Sequence, residues 1–364
     1  MEHAWETDQL PGRWLHHEGR RYLYCSGTGY LGIAHNPVFA ALLAAGLARY
    51  GTNYGSSRNS NLRLRIYAEA EDYLARYTSA VAALTVSSGY LAGQMAVKSL
   101  AAFGDFEYAP GTHPAAWLAD APAHSLPALN FNTWAARLME RLHTEPQKPL
   151  VIVSNSLDPL RGQHHDFSWA QRLPTHRPLT LLIDDSHGFG VTGPDGAGLF
   201  PQLRVPAGVR LVVVTSLGKA CGIPGGAVFS SDAEFITRLR HSAFFAASSP
   251  VVPAYLQAFL QAAPVYAEAR QRLAANVAHF TQATTETGLL HSFDGFPVFY
   301  TPVNELAGFL FQRGIWISSF PYPAPTDAPI TRIVLSALHT ADDVAQVAAL
   351  AREFTAPSGG IPAQ

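Results

Sequence analysis

Charge is scarce in this chain. Only 14% of its 364 residues are Asp, Glu, Lys or Arg, against about a quarter in ordinary globular domains. A surface so thinly charged is expected to be covered in part, and a second subunit is the simplest cover. Nor is there an excess of one sign. The net charge of −2 provides no basic field for nucleic acid or an anionic membrane. Cysteine is almost missing: Cys25 and Cys221 make no disulfide framework, which suits a reducing cytoplasm. Long apolar runs are missing too. The longest, Val38 to Ala48, is too short to span a bilayer. The opening stretch MEHAWETDQLPGRW lacks a basic head followed by an apolar run, so no secretory signal is expected. Neither C-x-x-C nor H-E-x-x-H occurs, which removes the usual sequence support for a metal site.

What the chain does have is apolar residues, 48% of the total, in short runs separated by helical patterns. Ala80–Val86, Leu150–Ser154, Leu179–Ile183, Leu211–Thr215 and Ala227–Ser230 read as strands buried on both faces. Ile66–Tyr77, Tyr90–Phe103, Asn132–His143 and Ala233–Ser242 read as the helices between them. That alternation predicts an α/β domain with a mostly parallel sheet. The texture changes after Pro250. One long helix over Ala254–Thr287 is expected, then short strands, a Pro-rich loop FPYPAPTDAP, the strand ITRIVLSAL and a last helix, together a smaller α+β domain. The expected organisation is an N-terminal segment 1–45, a large domain 46–255, a small C-terminal domain 256–356 and a disordered tail 357–364.

One motif is misleading. Gly27-x-Gly29-x-x-Gly32 has the spacing of a dinucleotide fingerprint. That chemistry needs an acidic residue about 20 positions later for the ribose, and none occurs between Glu18 and Glu69. Pro37 also delays the following helix. A glycine-rich turn is the expected outcome.

The stretch LVVVTSLGKACGIPGG places Lys219 among glycines just past a buried strand. Strand C-termini are where α/β folds gather ligands, and a lysine held there can attack an aldehyde. The preceding strand ends LLIDDSHGFG, with Asp184 at its end and His187 three residues on. An acid, an imidazole and a lysine suit more than one chemistry. A metal would have only Asp184, Asp185 and His187 here, and His164–His165 reads as a solvated loop pair. Pyridoxal phosphate would use all three: the acid on the pyridinium nitrogen, the histidine near the ring substituents, the lysine on the aldehyde. It also needs a phosphate cradle, and LTVSSGYLAGQMAV offers a strand, then Ser87-Ser88-Gly89-Tyr90, then a helix N-terminus.

In chain order, SSGYLAGQ, IDDSHGFGVTGPDGAG and TSLGKACGIPGG resemble the pyridoxal-phosphate-dependent α-oxoamine synthases, the group containing 8-amino-7-oxononanoate synthase and serine palmitoyltransferase. The likeness runs from YLYCSGTGYLGIAHNP to ITRIVLSALHT. It implies the fold type I transferase fold: an α/β large domain with a mostly parallel sheet and a smaller C-terminal α+β domain. It also implies a homodimer with the active site at the interface. Residue by residue, it makes Lys219 the Schiff-base lysine and Asp184 the pyridinium partner. His187 falls near the phenolic oxygen, and His113 stacks on the ring. Ser156 contacts the ring region, while Ser88, Gly89, Tyr90 and Ser216 form the phosphate site. Arg332 would hold the amino-acid carboxylate, a task suited to a bidentate guanidinium.

The implied reaction condenses an amino acid with an acyl thioester such as acyl-CoA, with decarboxylation. An aminotransferase and a non-catalytic cofactor-binding relative are the alternatives. The chain also departs from the group's pattern. It is short at the N-terminus, reads TGYLG for NDYLG, places Tyr67 where a histidine is expected, and has FFAASSPVVP where the group has Ser-Thr. Trp316, Phe320 and Tyr322 are expected to fill the small domain rather than line an acyl tunnel.

Overall fold

The computed structural model describes residues 5–119, 130–144, 148–322 and 324–355; the tail expected from residue 357 lies outside them. The chain runs β1 (Trp14–His17), β2 (Arg20–Cys25), α1 (Pro37–Tyr50), α2 (Arg65–Thr78), β3 (Ala82–Val86), α3 (Gly89–Leu100), β4 (Asp105–Tyr108), α4 (Phe131–Thr144) and β5 (Leu150–Asn155). Two short strands follow, β6 (Leu157–Asp158) and β7 (Gln163–His164), then β8 (Leu179–Asp184), β9 (Val209–Ser216) and β10 (Gly226–Ser230). The remainder is α5 (Ala233–His241), α6 (Ala243–Ala247), α7 (Pro253–Gln261), α8 (Ala263–Thr284), β11 (Val298–Thr301), α9 (Glu305–Gln312), β12 (Ile315–Pro321), β13 (Pro329–Val334) and α10 (Ala341–Thr355).

The chain divides into two compact units: Asn36–Asp158 with His164–Ala267, and Met1–His35 with Pro159–Gln163 and Glu268–Gln364. The larger unit is built on a six-stranded sheet of order β3-β10-β9-β8-β5-β4. β4, β5, β8 and β9 are mutually parallel, and only β10 runs against its neighbours β9 and β3. Every residue of β8 and β10 is buried, as continuous apolar strands in the middle of such a sheet must be. Leu84, Leu182, Val212 and Val228 pack with Ala92, Met95 and Ala96 of α3 in one core cluster. Among the described residues no helix is long and apolar enough to cross a membrane.

In the smaller unit the sheet order is β1-β2-β12-β13-β11. The N-terminal strand β2 pairs in parallel with β12, Leu23 opposite Ile315, so the two ends of the chain share one sheet. Arg13 clamps Asp343 at the start of α10 through Nε and Nη2, at 2.7 and 2.8 Å.

Sequence expectations change at three places. His165 is buried and stacked on Phe131 at 4.1 Å rather than solvated, and Phe320 is exposed rather than filling the small domain. The single helix expected over Ala254–Thr287 is α7 and α8, followed by a 3₁₀ turn Thr285–Thr287. Pro264 has no N–H to continue the first helix, and Ala262 leaves helical geometry at φ −93°, ψ 14°. The glycine-rich segment 27–32 is the turn its sequence suggests. Gly32 donates its N–H to the Gly29 carbonyl at 2.8 Å, and α1 starts only at Pro37, capped by Asn36.

Candidate active site

Strand register brings the predicted residues of the larger unit to one edge. β3, β5, β8 and β9 point the same way, so their C-termini emerge together. Asn155 lies opposite Asp184, Asp184 opposite Val214, and Gly226 opposite both Ser216 and Val86. Ser156, Asp184, Ser216 and the Ser88–Tyr90 turn therefore share this edge. Lys219 follows on the hairpin between β9 and β10, a loop closed by Leu217 N–H to the Gly225 carbonyl at 2.9 Å and by Ile223 N–H to the Leu217 carbonyl at 3.1 Å.

The α3 N-terminus is pressed against this hairpin. Ser88 caps it by accepting the Leu91 N–H at 3.1 Å. A Cβ on Gly89 would sit 2.6 Å from Ser216 Cβ, and one on Gly226 would sit 2.3 Å from the Ser88 carbonyl oxygen. Only glycine fits at either place. Gly89 and Tyr90 are the first two residues of α3, and amides at a helix N-terminus suit an anion.

Asp184 is fixed by the turn that follows it. Its Oδ1 accepts the Ser186 N–H at 2.9 Å, and Ser186 Oγ accepts the Ser216 N–H at 2.9 Å, tying the two strand ends together. Its Oδ2 lies 4.0 Å from His113 Nδ1. That nitrogen accepts the Ala115 N–H at 3.2 Å, so it carries no proton, and burial lowers the ring's pKa further despite Asp184. Hence the His113–Asp184 approach is a neutral ring beside a carboxylate, not an ion pair. The charge of Lys219 also lowers the His113 pKa, which sets lysine, acid and imidazole within electrostatic reach of one another. His187 follows Ser186 in the same turn, half-buried. Ser156 is buried and donates its N–H to the Asp184 carbonyl at 2.8 Å.

Arg332 belongs to the smaller unit. It is buried on β13 opposite Ser318 and Tyr300, donates from Nη1 to the Pro159 carbonyl at 2.9 Å, and lies over the Phe320 ring at 5.9 Å. Tyr67 replaces the expected histidine structurally: its hydroxyl donates to the Val251 carbonyl at 2.9 Å, and Arg58 stacks on its ring at 4.3 Å. Among the described residues no group of three or more His, Cys, Asp or Glu side chains is disposed to hold a metal ion.

This arrangement fits pyridoxal phosphate. It offers a glycine-walled anion cradle, a fixed carboxylate, a neutral imidazole and a lysine on a rigid hairpin, all on one sheet edge. The family model for aminotransferase class I and II matches residues 29–350. The chain belongs to this family. Within it the chain is one of the pyridoxal-phosphate-dependent α-oxoamine synthases. It is 30% identical over 349 residues to 8-amino-7-oxononanoate synthase of Erwinia tasmaniensis, covering 93% of this chain and 90% of that one. The corresponding protein of Nitrosomonas eutropha is 29% identical over 349 residues, covering 91% and 89%. In fold the chain is similar to Sphingomonas wittichii serine palmitoyltransferase, with a TM-score of 0.80, 21% identity, and coverage of 98% and 92%.

Three residues of this α-oxoamine synthase receive no part in the cofactor site from the sequence. Asn155 accepts the His113 N–H at 3.1 Å and donates to the Gly111 carbonyl at 2.7 Å, holding the histidine loop. Ser186 links the two strand ends. Asp185 is buried, its Oδ2 accepting the Leu199 N–H at 2.8 Å. The only sequence signal for any of them is the polar texture of SNS and DDS.

Proposed function

We propose that this chain catalyses the decarboxylative condensation of an amino acid with an acyl thioester, yielding an α-oxoamine. The observation that carries the reading is the convergence of Lys219, Asp184, His113 and the α3 N-terminus on one edge of the large sheet. Pyridoxal phosphate, when bound, supplies the electron sink for the charge left on the amino acid's α-carbon.

The chain's own groups do the rest. The Lys219 amine would hold the cofactor through its aldehyde and is the base placed to take the substrate's α-proton. Asp184, held by Ser186 N–H, keeps a proton on the ring nitrogen. His113, His187 and Ser156 would line the cofactor ring, His113 as a neutral imidazole. The Gly89 and Tyr90 amides, with the Ser88 and Ser216 hydroxyls, bind the phosphate. Arg332 takes the substrate carboxylate. A carbon–carbon bond forms between the α-carbon and the acyl carbonyl carbon, the thiolate leaves, the carboxylate departs as CO2, and the electron pair left on the α-carbon takes back the proton held by Lys219. The working form is a homodimer, and its buried cysteines, which form no disulfide, suit the cytoplasm.

The test is a panel of amino acids with and without acyl-CoA. Free thiol and CO2 released in equal amounts, only when both substrates are present, is the expected result. Amino-group transfer to a 2-oxo acid with no thioester requirement would overturn the reading.

A further inference from the structure

Asp185 is absorbed by none of the roles above, yet its surroundings are among the most constrained in the larger unit. Its side chain is 1% exposed. Oδ2 accepts the Leu199 N–H at 2.8 Å, and the Ser156 hydroxyl lies beside the carboxyl. Oδ1 is buried with no hydrogen bond of good geometry. A Cβ on Gly188 would stand 2.1 Å from Oδ1, and one on Gly198 2.1 Å from Oδ2, so glycines wall the carboxyl on both sides. The backbone of Asp185 is equally tied down. Its N–H donates to the Val214 carbonyl at 2.9 Å, and its carbonyl accepts the Gly188 and Phe189 N–H groups at 3.1 and 2.9 Å.

We infer that Asp185 is a positioning residue that holds a proton: as a neutral acid it closes the 185–199 loop onto the end of β8 and thereby fixes Asp184 and His187, a role that rests on the functions proposed for those two residues. Its neighbours decide its charge. The groups that set its charge are the Ser156 hydroxyl, the Leu199 N–H and Asp184, one residue away, whose negative charge opposes a second one. One backbone amide and one hydroxyl are poor compensation for a carboxylate removed from water. Burial, the larger effect, and Asp184 together push Asp185 up to about 7. A neutral Asp185 leaves a single negative charge at this edge, on Asp184.

The sign of the pH dependence follows. An acid that ionises near 7 when folded and near 4 when unfolded binds more protons in the folded state between those values. The contribution of Asp185 to folded stability therefore falls as pH rises from about 4 to about 7 and is level above. Asp185→Asn keeps the acceptor for Leu199 and cannot ionise. In cofactor-free protein, the unfolding midpoint of Asp185→Asn minus that of wild type is expected to grow with pH up to about 7 and then stay constant. A difference that does not change with pH, or one that shrinks as pH rises, would overturn the proton-holding role.

The positioning role has its own readout. Asp185→Ala, which drops the loop, is expected to lose cofactor affinity about tenfold or more, while Asp185→Asn restores it to near wild type. Equal affinity in all three proteins would overturn the positioning role. If Asp185→Ala does not fold, Asp185→Ser, which keeps a polar group but is too short to reach the Leu199 N–H, takes its place with the same expected loss, and Asp185→Asn against wild type still decides the proton-holding role. The unfolding measurement needs no cofactor, so failure of the pyridoxal phosphate reading and failure of this inference give different results.

Discussion

At the scale of single residues, the site depends on groups whose freedom has been removed. Asp184 has one oxygen on Ser186 N–H and the other facing a neutral His113. A carboxamide cannot hold the ring proton in the same way, so Asp184→Asn is expected to lower kcat by about a hundredfold or more with little change in unfolding midpoint. Unchanged kcat would remove Asp184 from the proposed chemistry. Gly89 is a packing constraint rather than a chemical one. A methyl there meets Ser216 Cβ at 2.6 Å and must push α3 from the hairpin. Gly89→Ala is expected to cost about 1–3 kcal/mol of stability and to weaken binding of inorganic phosphate and of cofactor together, measurable by denaturant titration and calorimetry.

At the scale of elements, one buried ionic knot ties the 51–64 segment to the sheet. Glu71 of α2 accepts Arg58 Nη1 and Nη2 at 2.6 and 3.1 Å, Arg240 Nη2 at 2.7 Å and the Thr85 N–H at 2.8 Å. Its pairing with arginines more than offsets burial and holds its pKa below the usual range. Breaking one side of such a pair strands the other charge. Glu71→Gln is therefore expected to destabilise the chain by about 3 kcal/mol, read from chemical denaturation. A change under about 1 kcal/mol would mean that water reaches Arg58.

Elements are also where the sequence is most and least legible. Leu179–Ile183 stands out because burial on both faces demands an unbroken apolar run, and the strand found is Leu179–Asp184. β4, DFEY, carries no such signal: it is a short edge strand with partly exposed residues. The α7–α8 break is hidden in helix-favouring composition, although Pro264 marks it. In the site, Lys219 and Asp184 are legible because glycines and strand ends frame them. Asn155 and Ser186 are not, because they act through backbone hydrogen bonds that only the fold creates. His113 and Arg332 are reachable only through the family resemblance, since a lone histidine or arginine carries no pattern of its own.

For the whole molecule, low charge content and the exposed Val38, Leu62, Val81 and Tyr90 side chains argue for a covered surface. Light scattering at micromolar concentration is expected to give twice the mass of the chain; an active monomer would contradict the homodimer. The central question is nonetheless chemical: whether the lysine past β9 holds an aldehyde cofactor. The most direct measurement is to reduce the purified holoprotein with borohydride, digest it and locate the modified peptide by mass. A visible absorption band that borohydride abolishes is expected, with a phosphopyridoxyl group fixed on Lys219 and on no other lysine. A protein that stays colourless with added pyridoxal phosphate, or a label on Lys98 or Lys148 instead, would contradict it.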